Sequence, residues 1–545
     1  MARWSSSLFV LVAAAGLATA QEPARDPAAF ERRVVEVAAH VRARTVLVFG
    51  VIGAGSGAVV DVAGTVVTNA HVVAGARYAT LQWADGRTTL ARRLGVDYGR
   101  DLAILVPEPP LAAPVPAFAL ADGAPAAGSW VAASGFPGGL RSTSAPTFSL
   151  GRVLSTASSA GERLPGGALD YQAAIRSDAP IFSGNSGGPL VDLTGTLVGI
   201  NGAVDLQRGV SLSIPVDVAR DRLERLTGGR VLLPGGQTID PERTPLLRAL
   251  YRATDAVARS LPQRVAEASR RAAAARGGER AAPPTRPRDA LAEELAAAGR
   301  RHPRQPRLAA GCRFGDVAGV TAEDGLALTP IDHLHAVTVA SRLEGRRAVT
   351  VEGRPGVVLA VSEPDDLALI RLPEPVRPLP ADAPLRRVGS LIYVRGERGL
   401  HAAGVVSAAA RPTVGPLIAR IQQGVPPQVL RALELAERAA ERLKAAQVQA
   451  LLVQIRRTVE ARRAFAGGTP PRSYARVISI DAPLSPRLVG APVLDRDGRL
   501  IGPAVGVAHF GTSYVVPIAH VRRAFADRLP ARPAVPVQVG PARLY

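Results

Sequence analysis

The chain of 545 residues contains only one cysteine, Cys312, and one lysine, Lys444, and 4% of its residues are aromatic. A single thiol cannot form an internal disulfide, so packed apolar cores must hold the fold together. After residue 20, no apolar run approaches the roughly 20 residues that a membrane-spanning helix requires. The scarcity of aromatics, beside 54 glycines and 46 prolines, favours short strands and turns over a long helical bundle.

The formal net charge of +20 comes almost entirely from arginines that are spread along the chain. Because these arginines do not form a clustered basic patch, a nucleic-acid partner is not expected. Weak contact with an anionic surface, such as lipid headgroups or cell-wall polyanions, is a hypothesis that salt-sensitive retention would test.

The N-terminus has the order of features that is typical of a secretory signal peptide. A positive start precedes an apolar stretch from Leu8 to Leu17, and small residues at Ala18 and Ala20 follow it. We therefore expect a signal peptide over residues 1–20 and export to the bacterial periplasm or the extracellular space. A leader helix is expected over residues 21–44.

Shifts in composition divide the rest of the chain into a strand-rich region, a linker and a second strand-rich region. Residues 45–228 carry short apolar runs broken by Gly, Asp, Asn and Pro, as in an antiparallel barrel or sandwich. Residues 229–305 are helical and then rich in Pro and Arg, with a helix that begins at Thr244-Pro245 and is interrupted by Pro262. The pattern of short, strand-like apolar runs returns over residues 306–530, and residues 531–545 are expected to form a tail.

A long helical insertion is predicted inside the second strand-rich region, over residues 413–469. Between Pro427 and Ala466 apolar residues recur at spacings of three and four, which marks one face of a helix. An unbroken helix of this length would extend about 60 Å. Its apolar stripe must be buried, either as a hairpin on its own domain or in self-association between chains.

Three motifs in the first strand-rich region carry residues suited to nucleophilic catalysis. They are Thr68-Asn-Ala-His71, Asp101-Leu-Ala and Gly184-Asn-Ser186-Gly-Gly-Pro-Leu. The order His, Asp, Ser is that of chymotrypsin-like proteases. A serine hydroxyl needs a neutral imidazole to take its proton, and an ionised carboxylate to orient that imidazole. The expected catalytic residues are His71, Asp101 and Ser186, and the amides of Gly184 and Ser186 are the expected oxyanion hole.

These motifs, together with Ser213-Ile-Pro-Val-Asp217, resemble the protease domain of the HtrA/Deg family of trypsin-like serine proteases. The resemblance covers residues 45–228 and implies a chymotrypsin-like double β-barrel with no metal and no organic cofactor. No PDZ-like segment is recognisable after it. The expected substrate-binding positions are Pro180, Ile181, Val210 and Ser211, and a small or medium apolar P1 residue is the corresponding hypothesis.

The second strand-rich region repeats the first in outline, so the fold is predicted to be mainly β, with duplicated double barrels and helical additions. Val489-Gly-Ala-Pro parallels Ser186-Gly-Gly-Pro, and Asp366-Leu-Ala parallels Asp101-Leu-Ala. Aligning Ala327-Leu-Thr-Pro-Ile-Asp332 with the His71 motif places Asp332 at the position of the base. In this register no hydroxyl stands at the nucleophile position, so the second copy is expected to be a degenerate protease-like domain.

Two functional hypotheses follow from the sequence. The first is a serine endopeptidase that hydrolyses exported or misfolded polypeptides through an acyl-enzyme at Ser186. The second is a peptide-binding scaffold or regulatory pseudoprotease with little or no turnover. The intact triad pattern of the first copy favours the first hypothesis, whereas the degenerate second copy and the helical insertion leave the second hypothesis open.

Overall fold

The computed structural model describes most of the chain from Asp26 to Leu529. The described residues are 26–137, 145–156, 174–205, 209–226, 230–233, 236–241, 243–274, 320–322, 325–376, 382–384, 386–396, 399–411, 425–466, 477–482, 484–509 and 512–529. The predicted signal peptide, the Pro-rich residues 277–288, Cys312 and the tail from residue 531 lie outside them. Among the described helices, none has the length and apolar composition that crossing a membrane would need.

The first copy consists of two six-stranded antiparallel barrels. In the first barrel the neighbour order is β4-β1-β2-β3-β6-β5, and pairing of β5 with β4 closes it. The second barrel is closed in the order β10-β11-β12-β9-β8-β7. The strands are β1 Thr45–Phe49, β2 Ala54–Val59, β3 Val66–Thr68, β4 Tyr78–Gln82, β5 Thr88–Asp97, β6 Leu102–Pro107, β7 Trp130–Gly135, β8 Thr147–Ser155, β9 Ile175–Ser177, β10 Pro189–Asp192, β11 Leu197–Asp205 and β12 Val210–Pro215.

Two short strands, β13 Val231–Leu232 and β14 Thr238–Ile239, extend the first barrel. β13 pairs in parallel with the end of β5, where Val231 faces Val96, and β14 pairs with β13. The double barrel that the resemblance implied is therefore present in the first copy.

The second copy repeats this architecture with one barrel open. Its first sheet has the order β15-β16-β17-β20-β19-β18 and does not close, whereas its second is a closed barrel in the order β21-β22-β23-β26-β25-β24. The strands are β15 Val320–Thr321, β16 Ala327–Pro330, β17 His335–Val339, β18 Ala348–Val351, β19 Arg354–Ser362, β20 Leu367–Arg371, β21 Leu391–Gly396, β22 Gly399–Arg411, β23 Val477–Ile480, β24 Pro492–Asp495, β25 Leu500–His509 and β26 Thr512–Val515. The predicted duplication is confirmed.

Six helices accompany the strands among the described residues. They are α1 Pro27–Arg42, α2 Val216–Arg225, α3 Pro245–Ala274, α4 Pro427–Arg442, α5 Ala446–Ala466 and α6 Ile518–Ala524. The sequence signals of α1 are local: the Asp26 carboxylate accepts from the amides of Ala28 and Ala29, and Pro27 occupies the first turn. The described part of the predicted leader helix, residues 21–44, is therefore helical.

The prediction that Pro262 interrupts the linker helix is wrong, because α3 runs through Pro262 as one helix. A proline in a helix interior costs about 3 kcal/mol, so α3 needs compensating contacts. Leu261 and Val265 are buried on either side of the proline, and α3 packs on β4 and β5. This helix is thus part of the first copy's core rather than a free linker.

The helical insertion is a hairpin, not one unbroken arm. The chain turns between α4 and α5 at Leu443–Ala445, where Lys444 has a φ of 50°. The hairpin leaves the second copy between β22 and β23 and packs on the first copy, where it shares a core with α3 and the first barrel. Burial on its own domain was therefore a wrong expectation. Most of the apolar stripe is buried within the chain, although Leu443 at the turn of the hairpin is exposed. Self-association through residues 427–466 stays a prediction.

The two copies are also joined through their closed barrels. Helix α1 places Phe30 and Val34 in a core that includes Trp130 of the first copy and Tyr393 of the second. The buried carboxylate of Asp481, on the second copy, accepts from the amide of Val405 at 2.5 Å and from the amide of Leu150, 331 residues away, at 2.7 Å. No disulfide is needed for this junction.

Replacing Asp481 by alanine should destabilise the whole chain, because two buried amides lose their acceptor. Each buried unpaired amide costs about 1–3 kcal/mol, so the free energy of unfolding should fall by at least about 2 kcal/mol. Urea unfolding followed by circular dichroism measures this change. Asp122→Ala, which removes a fully exposed carboxylate, is the matched control and should leave the urea midpoint unchanged. Equal midpoints for both variants would contradict the assigned role of Asp481.

Candidate active site

His71 lies in a short 3-10 turn, Ala70–Val73, that directly follows β3. Two hydrogen bonds fix the entry to this turn: the hydroxyl of Thr68 donates to the carbonyl of Ser56 at 2.7 Å, and the side-chain amide of Asn69 donates to the carbonyl of Asp101 at 2.9 Å. The imidazole is about one third exposed, with a side-chain exposure of 37%. The ring is therefore held by a rigid turn while one side of it can meet solvent or a ligand.

Asp101 precedes β6 and is almost fully buried. Its backbone φ is 55°, a left-handed conformation that costs energy for a residue other than glycine. The carboxylate accepts from the His71 backbone amide at 3.0 Å and from ring nitrogen Nδ1 at 2.8 Å. Because Nδ1 carries the proton toward Asp101, Nε2 is the nitrogen left to accept a proton.

The ionisation of His71 follows from this pairing. Burial lowers the pKa of His71, but the charge of Asp101 and its hydrogen bond to the ring together raise that pKa by more. The pKa of His71 therefore lies above its ordinary value. The imidazole is consequently a stronger base than an unpaired histidine.

Ser186 lies in the glycine-rich loop between β9 and β10. Gly184 and Gly187 have φ values of 102° and 83°, which glycine adopts without strain. A Cβ at Gly187 would lie 2.2 Å from the carbonyl oxygen of Ser56, so the loop could not approach β2 with a side chain there. Gly55 on β2 is close to both Val72 and the Ser186 carbonyl, so β2 brings the serine loop and the His71 turn together.

The Ser186 hydroxyl donates to the carbonyl of Gly202 at 3.3 Å. This hydrogen bond is long, and it directs the hydroxyl to β11 rather than to the imidazole. Attack on a carbonyl would need the hydroxyl to turn to Nε2 of His71. The Ser186 backbone carbonyl, in contrast, is fixed by the Ser56 amide at 2.8 Å.

Two backbone amides beside the hydroxyl have unused donor capacity. Among the described residues, neither the Gly184 amide nor the Ser186 amide donates a hydrogen bond. The Gly184 carbonyl accepts from the Ser56 hydroxyl at 2.7 Å, and that hydroxyl accepts from the Phe136 amide at 2.9 Å. The loop is thereby held with two free donors, the feature that an oxyanion hole requires.

The expected substrate-binding positions lie along the second barrel. Pro180 is buried, and Ile181 packs in the barrel core at 3% exposure. Ser211 is buried and donates to the carbonyl of Ala179 at 2.6 Å, while Val210 is half-buried at the start of β12. A contact of these residues with substrate stays a prediction.

Sequence reasoning missed Ser56 and Gly202 as parts of the site. Ser56 lies in the run Gly53-Ala-Gly-Ser-Gly57, whose small residues leave room for the Ser186 loop. Gly202 follows Asn201, whose side-chain amide donates to the carbonyls of Ser134 and Pro189. Both act through contacts between distant segments, and only the Gly-rich composition of the first was visible in the sequence.

In the second copy, the position equivalent to His71 holds no base. The structure identifies that position in a register that differs from the predicted one. Thr338 donates to the Ala327 carbonyl at 2.8 Å, as Thr68 does to the carbonyl of Ser56, so β16 matches β2. Ser341 therefore stands where His71 does, and the prediction of Asp332 there is wrong. Asp366, with a φ of 56°, accepts from the Ser341 amide and hydroxyl at 2.8 Å each.

Val489 lies at the position of Ser186, as predicted. A Cβ at Gly490 would lie 2.2 Å from the Ala327 carbonyl oxygen, which reproduces the close approach of Gly187 to Ser56. Asp332 instead pairs with Nδ1 of His335 at 3.0 Å. Among the described residues no cluster of three His, Cys, Asp or Glu side chains is arranged to hold a metal ion.

The part of the chain that is similar to known proteins lies in the first copy. Residues 55–200 match the family described as the trypsin-like peptidase domain. The chain is 36% identical over 180 residues to "Putative serine protease HhoA" of Synechocystis sp., which covers 32% of this chain and 44% of that protein. It is 38% identical over 177 residues to "Probable periplasmic serine endoprotease DegP-like" of Hahella chejuensis, which covers 32% of this chain and 35% of that protein.

Among solved structures, an HtrA-type protease with a tripeptide is 29% identical to this chain, with a TM-score of 0.32. The match covers 35% of this chain and 63% of the protease chain. The chain spans less than half the length of the curated relatives it matches. Residues 55–200 are similar to the trypsin-like peptidase domain, and the relatives that they resemble are named as serine proteases.

The pairing of His71 with Asp101 predicts the titration of the imidazole. The His71 ring should lose its proton above the ordinary value of about 6.5. In Asp101→Asn the pKa should fall to or below that value, because the charge is gone while burial remains. Carbon-13 NMR of histidine-labelled protein measures both titrations, with a His71→Gln sample to assign the signal. An unchanged pKa in Asp101→Asn would refute the pairing.

Proposed function

We propose that the first copy is a serine endopeptidase with His71, Asp101 and Ser186 as its catalytic triad. The observation that carries this proposal is the hydrogen bond between the buried Asp101 carboxylate and the half-buried His71 ring, beside a serine loop with two free amides. In such an arrangement, Nε2 of His71 takes the proton of the Ser186 hydroxyl as that oxygen attacks a peptide carbonyl. The amides of Gly184 and Ser186 then donate to the developing oxyanion.

Collapse of the tetrahedral intermediate breaks the peptide bond, and His71 gives the proton to the leaving amine. Ser186 is left as an acyl ester, which water hydrolyses with His71 again as base. Asp101 remains ionised throughout and stabilises the imidazolium that forms. Loss of one oxyanion donor typically costs about 2.7–4 kcal/mol of transition-state stabilisation.

The substrate class in this proposal is exported or misfolded polypeptide, and the location is the periplasm or the extracellular space. The periplasmic names of several relatives support an exported location. The signal-peptide pattern of residues 1–20 supports it independently.

One observation favours a peptide-binding protein with little turnover as the second candidate. The Ser186 hydroxyl hydrogen bonds to Gly202 instead of His71, and a serine held in that rotamer would bind peptides without attacking them. The two candidates differ in the reactivity of Ser186 toward an electrophile.

A fluorophosphonate reagent tests this reactivity, because it phosphonylates only a serine that is activated by a base and an oxyanion hole. In the purified chain, peptide mass mapping should place the label on Ser186, and the protein should hydrolyse an unfolded casein substrate. Ser186→Ala should abolish both signals. Removal of a triad member typically lowers kcat by 10⁴-fold or more.

Val489→Ala is the matched control, since Val489 occupies the same position in the second copy. It should retain labelling and hydrolysis. A folded parent chain without label on Ser186 would reject the protease proposal and leave the peptide-binding protein as the better account.

A further inference from the structure

The turn that carries His71 is covered from behind by the hairpin of the second copy. Helix α5 contacts this turn, and Ile455 on α5 is fully buried. A Cβ at Gly75, just after the turn, would lie 3.2 Å from Cγ2 and 3.5 Å from Cδ1 of Ile455. The same Cβ would lie 3.4 Å from Cδ1 of Ile52 in the first barrel. Gly75 is therefore enclosed between the first barrel and the second copy.

Polar interactions also hold the residues that follow the turn. The amide of Gly75 donates to the hydroxyl of Tyr98 at 3.4 Å, and Tyr98 is buried. Burial raises the pKa of Tyr98, so its hydroxyl stays neutral. Arg77 forms an ion pair with Asp255 of α3, with Nε 2.8 Å from the carboxylate. The turn is thus held at its entry by Asn69, and at its exit by Tyr98 and, through Arg77, by α3.

The second copy provides an internal comparison. Its equivalent turn, Ala340–Leu343, is followed by Gly345, where a Cβ would meet nothing within 4 Å. A cleft of about 490 Å³ lies at this place, lined by Ser341, Leu343 and Gly345 among others. A helix therefore packs behind the glycine that follows the His71 turn, whereas the glycine that follows the Ser341 turn has open space beside it.

We propose that the second copy is an intramolecular activator of the first, and that Ile455 is the positioning residue that holds the His71 turn through Gly75. This inference rests on the proposed function, because it concerns the geometry of the same triad. The brace acts on His71 without touching a reacting atom. Ile455 fills the space behind Gly75, so the turn cannot move back into α5 and carry the imidazole away from Asp101.

Removing three carbon atoms at Ile455 leaves a cavity behind Gly75, into which the turn can relax. A misplacement of about 1 Å in a catalytic group can reduce the rate 10²-fold. We expect the labelling of Ser186 by fluorophosphonate in Ile455→Ala to be about 10- to 100-fold slower than in the parent chain. The pKa of His71 should fall toward its ordinary value, because the ring is less firmly paired with Asp101.

The experiment measures the labelling rate, the His71 titration by carbon-13 NMR and the unfolding midpoint in the full chain. Leu433→Ala is the matched control, since Leu433 is equally buried in the same core but lies on α4. It should lower the midpoint as Ile455→Ala does, while labelling of the folded protein stays within about 2-fold of the parent and the His71 pKa stays unchanged. Ile455→Val, which keeps a branched side chain behind Gly75, should restore most of the rate.

The outcomes separate the two proposals. Normal labelling of the parent, with Ile455→Ala and Leu433→Ala alike in rate and His71 pKa, would overturn the activating role and leave the protease proposal intact. An unlabelled parent would reject the protease proposal. The titration would still decide the brace, because a His71 pKa that falls only in Ile455→Ala supports it and an unchanged one rejects it.

Discussion

The buried carboxylate of Asp101 is the constraint on which the site depends. A buried charge is tolerated only when hydrogen bonds replace its lost water, and here the backbone and ring of His71 supply them. The second copy keeps the same aspartate, with the same left-handed backbone, at Asp366, where Ser341 supplies the donors. The aspartate therefore fixes the turn in both copies, and only the histidine converts that fixed turn into a candidate base.

The second copy is part of the same folded unit as the first. Helix α1 lies in a core shared by both closed barrels, Asp481 accepts an amide from each copy, and the α4–α5 hairpin packs on the first barrel with α3. A chain with one cysteine has no covalent link to impose this arrangement, so apolar burial and a few buried acceptors must do so. These contacts lie on the strands and the hairpin of the second copy, away from the positions that correspond to His71 and Ser186.

The sequence predicted the parts of the fold that local patterns encode. Short apolar runs between turn residues indicated an antiparallel barrel or sandwich, and the family resemblance implied the double barrel. The order of His71, Asp101 and Ser186 indicated the site. The Val489 position was found because its neighbours Gly490 and Pro492 repeat those of Ser186. The base position was misplaced at Asp332 because the true equivalent, Ser341, is not a histidine. The register is revealed by tertiary contacts, such as the hydrogen bond from Thr338 to the Ala327 carbonyl.

By itself the sequence determined the strands, the glycine turns and the candidate triad, since these depend on residue types at short spacing. The tertiary structure alone decided where the hairpin packs, that α3 continues through Pro262, and that Ser186 donates to Gly202. Each depends on surfaces brought together from distant segments, as where Ile455 lies against Gly75. An apolar stripe predicts that one face of a helix is buried. Shape complementarity between remote parts of the chain decides which surface that face packs against.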